Sequence, residues 1–160
     1  MRLLTFVHVV LSLVGIFSGI VVAYGFLTSK RLEGWTTLFL VTTVLTSVTG
    51  FFFPFHKFLP SHALGIISLV ALAVALVALY ARELCGAWRL LYVVSAVMAL
   101  YLNVFVLVVQ LFQKVPALKA VAPTQSEPPF AATPLVVLIL FIALGFFAGK
   151  KFRMETARTA

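Results

Sequence analysis

His8, His56 and His62 are the side chains best equipped for chemistry in this chain, with Gln110 and Glu127 as the polar groups able to join them. Neutral imidazole is the commonest protein ligand for transition metals and also holds haem iron. His56 and His62 lie in the stretch FFFPFHKFLPSH, residues 51–62, bracketed by Pro54 and Pro60. Their H-x5-H spacing fits no standard motif, but imidazole with carboxylate suits zinc or copper, so His56, His62 and Glu127 form one candidate metal set. His8 and His62 form a second candidate, two axial ligands to a single b-type haem held from different helices at similar depth. A third is a quinone or lipid pocket made by His8, Gln110 and aromatic side chains, of which phenylalanine alone supplies 16. No catalytic set emerges. G-x-S-x-G, H-E-x-x-H, a P-loop and paired carboxylates are all missing, which argues against a hydrolase or a nucleotide-driven pump.

Composition says what kind of element must hold these residues. The chain is 63% hydrophobic and 10% charged, against roughly 25% charged in ordinary soluble domains, and its mean hydropathy is +1.18. So few polar residues cannot cover a water-soluble fold, so the solvent is lipid. The net charge of +8 sits at the ends of apolar runs, where basic residues orient a chain and meet anionic headgroups. That placement points to membrane lipid as a partner and sets nucleic acid aside. Cys85 is the single cysteine, so no intramolecular disulfide and no cysteine-based metal motif can form. The apolar run from Leu3 to Leu27 exceeds the roughly 7–15 residues of a signal-peptide core and lacks a clear A-x-A site. It reads as a retained transmembrane helix.

At about 20 apolar residues per crossing, five spans are predicted in one membrane domain covering residues 1–160: 3–27, 35–54, 62–81, 88–112 and 134–149. The fold class is therefore an all-α integral membrane helical bundle of about five helices. The fifth run is short, which leaves a four-plus-one arrangement open. Counting lysine and arginine on alternate sides puts eight on one and four on the other. The positive-inside rule then sets the N-terminus outside and the C-terminus in the cytoplasm of a bacterial-type inner membrane. With only four crossings the orientation would reverse. Residues 113–133 form an outer proline-rich loop; with Pro134 the stretch carries five of the seven prolines. Proline disfavours helix there, so extended, fairly stiff chain is expected.

Polar side chains in lipid must face protein, so their angular placement is informative. His8, Ser12, Gly15 and Gly19 share one face of span 1, and Gly15 with Gly19 makes a G-x-x-x-G pair that lets a second helix backbone approach. Thr42, Thr46 and Thr49, beside Thr43 and Gly50, line a face of span 2. Helix packing explains them if each hydroxyl bonds its own i−4 carbonyl; a water-lined or ion-conducting face is the alternative. Tyr92, Ser95, Ala99, Asn103, Val106, Gln110 and Gln113 form a stripe on span 4. Asn103 near mid-membrane needs an interhelical partner, a bond worth on average about 0.6 kcal/mol. Gly15, Gly19, Thr42, Thr46 and Asn103 are thus the expected packing residues. His8 sits about 8 Å inside the outer end of span 1 at 1.5 Å per residue, His62 opens span 3 at that end, and Gln110 lies about one turn from it. No Asp or Glu falls within any span, which argues against proton-coupled transport.

The layout His8, Gly50, His62, Gly65 over three spans resembles small four-helix bacterial b-type cytochromes. It also resembles uncharacterised bacterial multi-pass families that share a histidine, a tryptophan after the first turn, then T-G, H and G. The resemblance covers about residues 5–80. It implies at most one haem, because no second histidine pair lies near the inner face. Gly15, Gly19 and Gly65 would leave room for the macrocycle. Three roles follow: a non-enzymatic accessory or scaffold subunit packing on other membrane subunits or on itself; a haem- or quinone-binding electron-transfer protein using His8 and His62; and a small oligomeric channel or transporter.

Overall fold

A computed structural model describes residues 2–54 and 60–152, and every regular element among them is helical. The elements are α1 (Arg2–Leu27), α2 (Glu33–Gly50), α3 (Pro60–Leu76) continued by a π turn (Val77–Ala81), α4 (Ala87–Lys114), α5 (Pro116–Val121) and α6 (Pro128–Lys151). Four of these are long and apolar enough to cross a membrane: α1, Pro60–Ala81, α4 and α6. Threonine and its leading glutamate make α2 less apolar, and its 18 residues reach about 27 Å.

The helices α1 to α4 form a ring in which each packs on the next and α4 closes back on α1; α6 lies outside it against α4 and α1. The chain passes along the bundle five times. At one end His8 of α1 meets Thr49 of α2. At the other, Phe26 of α1 meets Phe152, which caps α6, and Arg89 of α4 donates to the Gly149 carbonyl. The Ser29 hydroxyl donates to the Lys151 carbonyl at that same end. Residues 2 and 152 therefore lie at opposite ends of the bundle.

The apolar core occupies the Phe152 half. Val22, Phe26, Phe39, Leu72, Ala75, Ala78, Val93, Ala96 and Leu100 belong to one buried cluster there. Alanines let α3 and α4 approach closely, while Phe26, Tyr92 and Phe152 stack edge to face around the lower rim. The α3–α4 reversal is tight. Arg82 N–H bonds the Val77 carbonyl and Leu84 N–H bonds the Ala78 carbonyl, both at 2.9 Å. Glu83 and Leu84 accept left-handed φ angles of 47° and 59° to turn the chain, and burial of the Leu84 side chain offsets that strain.

Three expectations need correction. The fifth long helix is not short: it begins at Pro128 rather than residue 134 and runs 24 residues, about 36 Å, straight through Pro134. The stretch 113–133 is not extended chain either. Pro116 opens α5, and Pro128 and Pro129 open α6. A proline in the first turn forfeits no hydrogen bond and has its φ preset, so these prolines start helices instead of barring them. The second span is also shorter than expected, ending at Gly50 and not at residue 54.

Candidate functional site

Two glycines bring α1 against its neighbours. A Cβ on Gly19 would lie 2.6 Å from Leu100 and 2.9 Å from Phe39, so only glycine fits between α2 and α4 there. One turn nearer the His8 end, a Cβ on Gly15 would lie 3.1 Å from Thr43 Oγ1 and 3.2 Å from both Asn103 Nδ2 and Thr42 Oγ1. Gly15 thus sits beneath a cluster of polar groups drawn from α2 and α4. Asn103 is fixed by α1: Ser12 Oγ donates to its Oδ1 at 2.7 Å, and its Nδ2 donates to the Ser12 carbonyl at 3.4 Å. Thr42 and Thr46 turn their hydroxyls back onto the carbonyls of Leu38 and Thr42, at 2.6 and 2.8 Å. Thr43 does not. The residue is 1% exposed, and among the described residues its hydroxyl has no hydrogen-bond partner.

Two turns above this floor, His8 Nδ1 lies 2.9 Å from Thr49 Oγ1. The Thr49 hydroxyl itself donates to the Thr46 carbonyl at 3.1 Å, so its oxygen accepts from His8 Nδ1–H. A neutral His8 then keeps Nε2 as a lone-pair acceptor. Phe53 stands edge-on to the His8 ring at 5.2 Å, and Phe51 tilts against the His62 ring at 5.8 Å. His62 is buried at the start of α3. Between α2 and α3, Ser47 donates to Ser68 at 3.0 Å.

These groups surround a cavity of about 480 Å³ enclosed by the His8 halves of α1 to α4. Its floor is Ser12, Thr43 and Asn103; His8, Gly50, His62 and Gln110 line its middle; Pro54, Ser61 and Lys114 stand at its rim. Among the described residues, Lys114 is the one charged group lining it. A site with a cation and no carboxylate disfavours a cationic guest. Val9, Leu13 and Leu111 line the cavity yet are 40–49% exposed on the apolar flank. They bring exposed apolar side chains of α1 and α4 to the edge of the cavity.

His8, His62 and Gln110 come together on this one cavity. Asn103, Thr46 and Gly50 line it as well, while Gly15, Gly19 and Thr42 hold its floor and the seam beneath. The metal set does not assemble among the described residues. His56 lies outside them, no group of three His, Cys, Asp or Glu comes together, and Glu127 is engaged elsewhere. Its carboxylate accepts from the Thr124 hydroxyl at 2.8 Å and from the backbone N–H groups of Thr124 and Ser126, both at 3.1 Å. The Thr124 hydroxyl, with those N–H groups, holds its pKa below the ordinary carboxylate value. Nor do the glycines leave room for a haem macrocycle. Thr43 and Asn103 stand against Gly15, Leu100 and Phe39 against Gly19, and Phe51 within 3.1 Å of a Cβ at Gly65. Thr43 and Thr49 stood in the sequence only as members of a threonine-rich face. Which threonine keeps a free hydroxyl is decided by rotamer and by the helix opposite, which periodicity does not record.

No family model, no curated protein and no solved structure matches this chain.

Proposed function

We propose that this protein is a five-span integral membrane protein of a bacterial-type inner membrane that binds a lipid-soluble small molecule in the cavity at its His8 end. It acts as a non-enzymatic binding component of a membrane assembly. The observation that carries this reading is the 480 Å³ cavity, polar at its floor and apolar along its walls, where Val9, Leu13 and Leu111 are also exposed on the apolar flank. Concave sites with apolar walls and a few convergent polar groups are the usual form of a small-molecule pocket. Passage through the chain is disfavoured, because the Phe152 half is packed solid around Phe39, Leu72, Val93 and Leu100, each at most 2% exposed. The filled glycine positions count against haem.

For orientation, Lys30, Arg31, Arg82, Arg89, Lys150 and Lys151 belong to the Phe152 end, whereas Arg2, Lys114 and Lys119 belong to the His8 end. The basic end faces the cytoplasm by the positive-inside rule, so the cavity opens within the outer leaflet.

Photolabelling with a lipid-soluble hydrocarbon diazirine in nanodiscs tests the pocket. Label on Val9, Leu13 and Leu111 should saturate with probe concentration, while label on lipid-facing Leu140 of α6 should rise in simple proportion. Gly50→Leu should abolish the saturable part, since a Cβ there meets only His8 Cε1 at 3.8 Å and a larger side chain grows into the cavity. Labelling of α1 and α4 that never saturates would sink the reading. A periplasmic signal from a reporter fused after Ala160 would overturn the orientation.

A further inference from the structure

The polar groups of the cavity differ in what they leave for a guest. Those of the floor are committed to the protein. Ser12 holds Asn103 through its hydroxyl and its carbonyl, Thr46 donates to the Thr42 carbonyl, and Ser47 donates to Ser68. The Thr43 oxygen exposes less than 1 Å², which puts it out of a guest's reach. A floor of this kind needs no hydrogen bond from a guest and tolerates an alkyl chain against it. The rim is different. Gln110 and Lys114 both line the cavity and lie four residues apart on α4, so they share one face of that helix. Lys114 is exposed, and no carboxylate among the described residues pairs with it. Glu33 pairs with Arg31 at the opposite end, and Glu127 is held by Thr124 and Ser126.

We propose that the cavity binds a single-chain anionic amphiphile, a fatty acid, with its carboxylate at Lys114 and Gln110 and its chain in the cavity. This rests on the cavity being a small-molecule pocket and names what fills it. Charge carries the choice of head group. A carboxylate accepts from both the Lys114 ammonium and the Gln110 amide, and it meets no acid among the described lining residues. Volume carries the choice of tail. At the roughly 30 Å³ that a water molecule occupies, the cavity of about 480 Å³ holds about 16 groups of methylene size. That is one long alkyl chain, not the pair carried by a phospholipid. Leu64 of α3 and Leu102, Val106 and Leu107 of α4 give the chain an apolar wall. A long-chain alcohol gains the same wall and forgoes the charge pairing.

The test takes the saturable hydrocarbon-diazirine label as its readout of occupancy and displaces it in phosphatidylcholine nanodiscs. The competitors are a fatty acid of about 16 carbons, the alcohol of the same length, and phosphatidylglycerol, compared at equal mole fraction. The pH is held above neutrality, where the carboxyl is ionised and lysine still charged. The acid should displace label about fivefold better than the alcohol, the upper range for an ion pair with an exposed lysine. Lys114→Gln should remove that advantage and leave displacement by the alcohol unchanged, while Lys114→Arg should keep it. Lys119→Gln, exposed at the same end but outside the cavity lining, should also keep it. Equal displacement by acid and alcohol overturns the proposal and leaves the pocket standing. So does an advantage that survives Lys114→Gln, or one that Lys119→Gln removes just as well, which would reduce it to surface charge. Phosphatidylglycerol matching the fatty acid would assign the site to a two-chain lipid and overturn the single-chain guest. If no label saturates, the pocket reading fails together with its occupant.

Discussion

The two halves of this bundle are built from the same four helices and packed to different ends. In the Phe152 half, alanine, aliphatic and aromatic side chains pack α1, α3 and α4 into one buried cluster. In the His8 half, the buried residues include Thr42, Thr43, Thr46, His62, Ser68 and Asn103 beside the apolar Leu102 and Phe112, and the space between the helices stays open as a cavity. The contrast teaches a division of labour. Close packing supplies dispersion contacts that scale with the number of touching atoms, so stability resides where the chain is solid. The open half is held by a few interhelical hydrogen bonds, each worth little in a membrane, and can carry a pocket because the other half fixes the helices.

The strongest test of this division is Phe152→Ala. Phe152 is 3% exposed and packs on Phe26 and Tyr92, and large-to-small changes at such sites cost about 3–5 kcal/mol. Denaturant unfolding in detergent micelles should show a loss of that order; a loss below about 1 kcal/mol would mean that α6 does not brace the core. A graded series along the helix seams comes next. Gly19→Ala places a Cβ 2.6 Å from Leu100 and should cost about 2–3 kcal/mol as overpacking. Gly15→Ala, with its nearest atom at 3.1 Å, should cost about 1 kcal/mol. Gly50→Ala, with 3.8 Å of clearance, should stay within about 0.5 kcal/mol of the parent. A reversed order would break the claim that packing tightens toward Phe152.

The smallest effect sits in the connector between α4 and α6. Its Glu127 pKa lies below the usual carboxylate value, first through the Thr124 hydroxyl. A depressed folded pKa gives stabilisation that is present above the ordinary carboxylate range and lost as pH falls through the lower folded value. The protection of the residue 124–127 amides, measured against their intrinsic exchange rates, should therefore fall at acid pH while the helices keep theirs. Thr124→Val should raise the Glu127 pKa, as read by carboxyl NMR. An unmoved pKa would assign the shift to the backbone N–H groups alone.

Much of this arrangement was legible. The stripe Tyr92–Ser95–Ala99–Asn103 on α4 and the Gly15–Gly19 pair on α1 announced buried faces, because a 3.6-residue period in lipid has few other causes. His8, His62 and Gln110 were placed at one end by counting residues from the span boundaries. What stayed hidden depends on partners remote in sequence. His8 bonds Thr49, 41 residues away, and Ser12 meets Asn103, 91 residues away. Phe51 and Phe53, readable as interfacial anchors, instead flank the two histidines. The prolines of 116–134 misled because the same residue ends a helix from inside and begins one at its first turn.

The exposed apolar side chains of Val9, Leu13 and Leu111 beside the cavity have a consequence for how affinity at the proposed site is expressed. A guest that arrives through the bilayer is drawn from a two-dimensional reservoir, so occupancy follows its mole fraction among the lipids and not its concentration in water. Diluting the membrane with more phospholipid at fixed guest and protein should empty the site, while adding buffer should leave it filled.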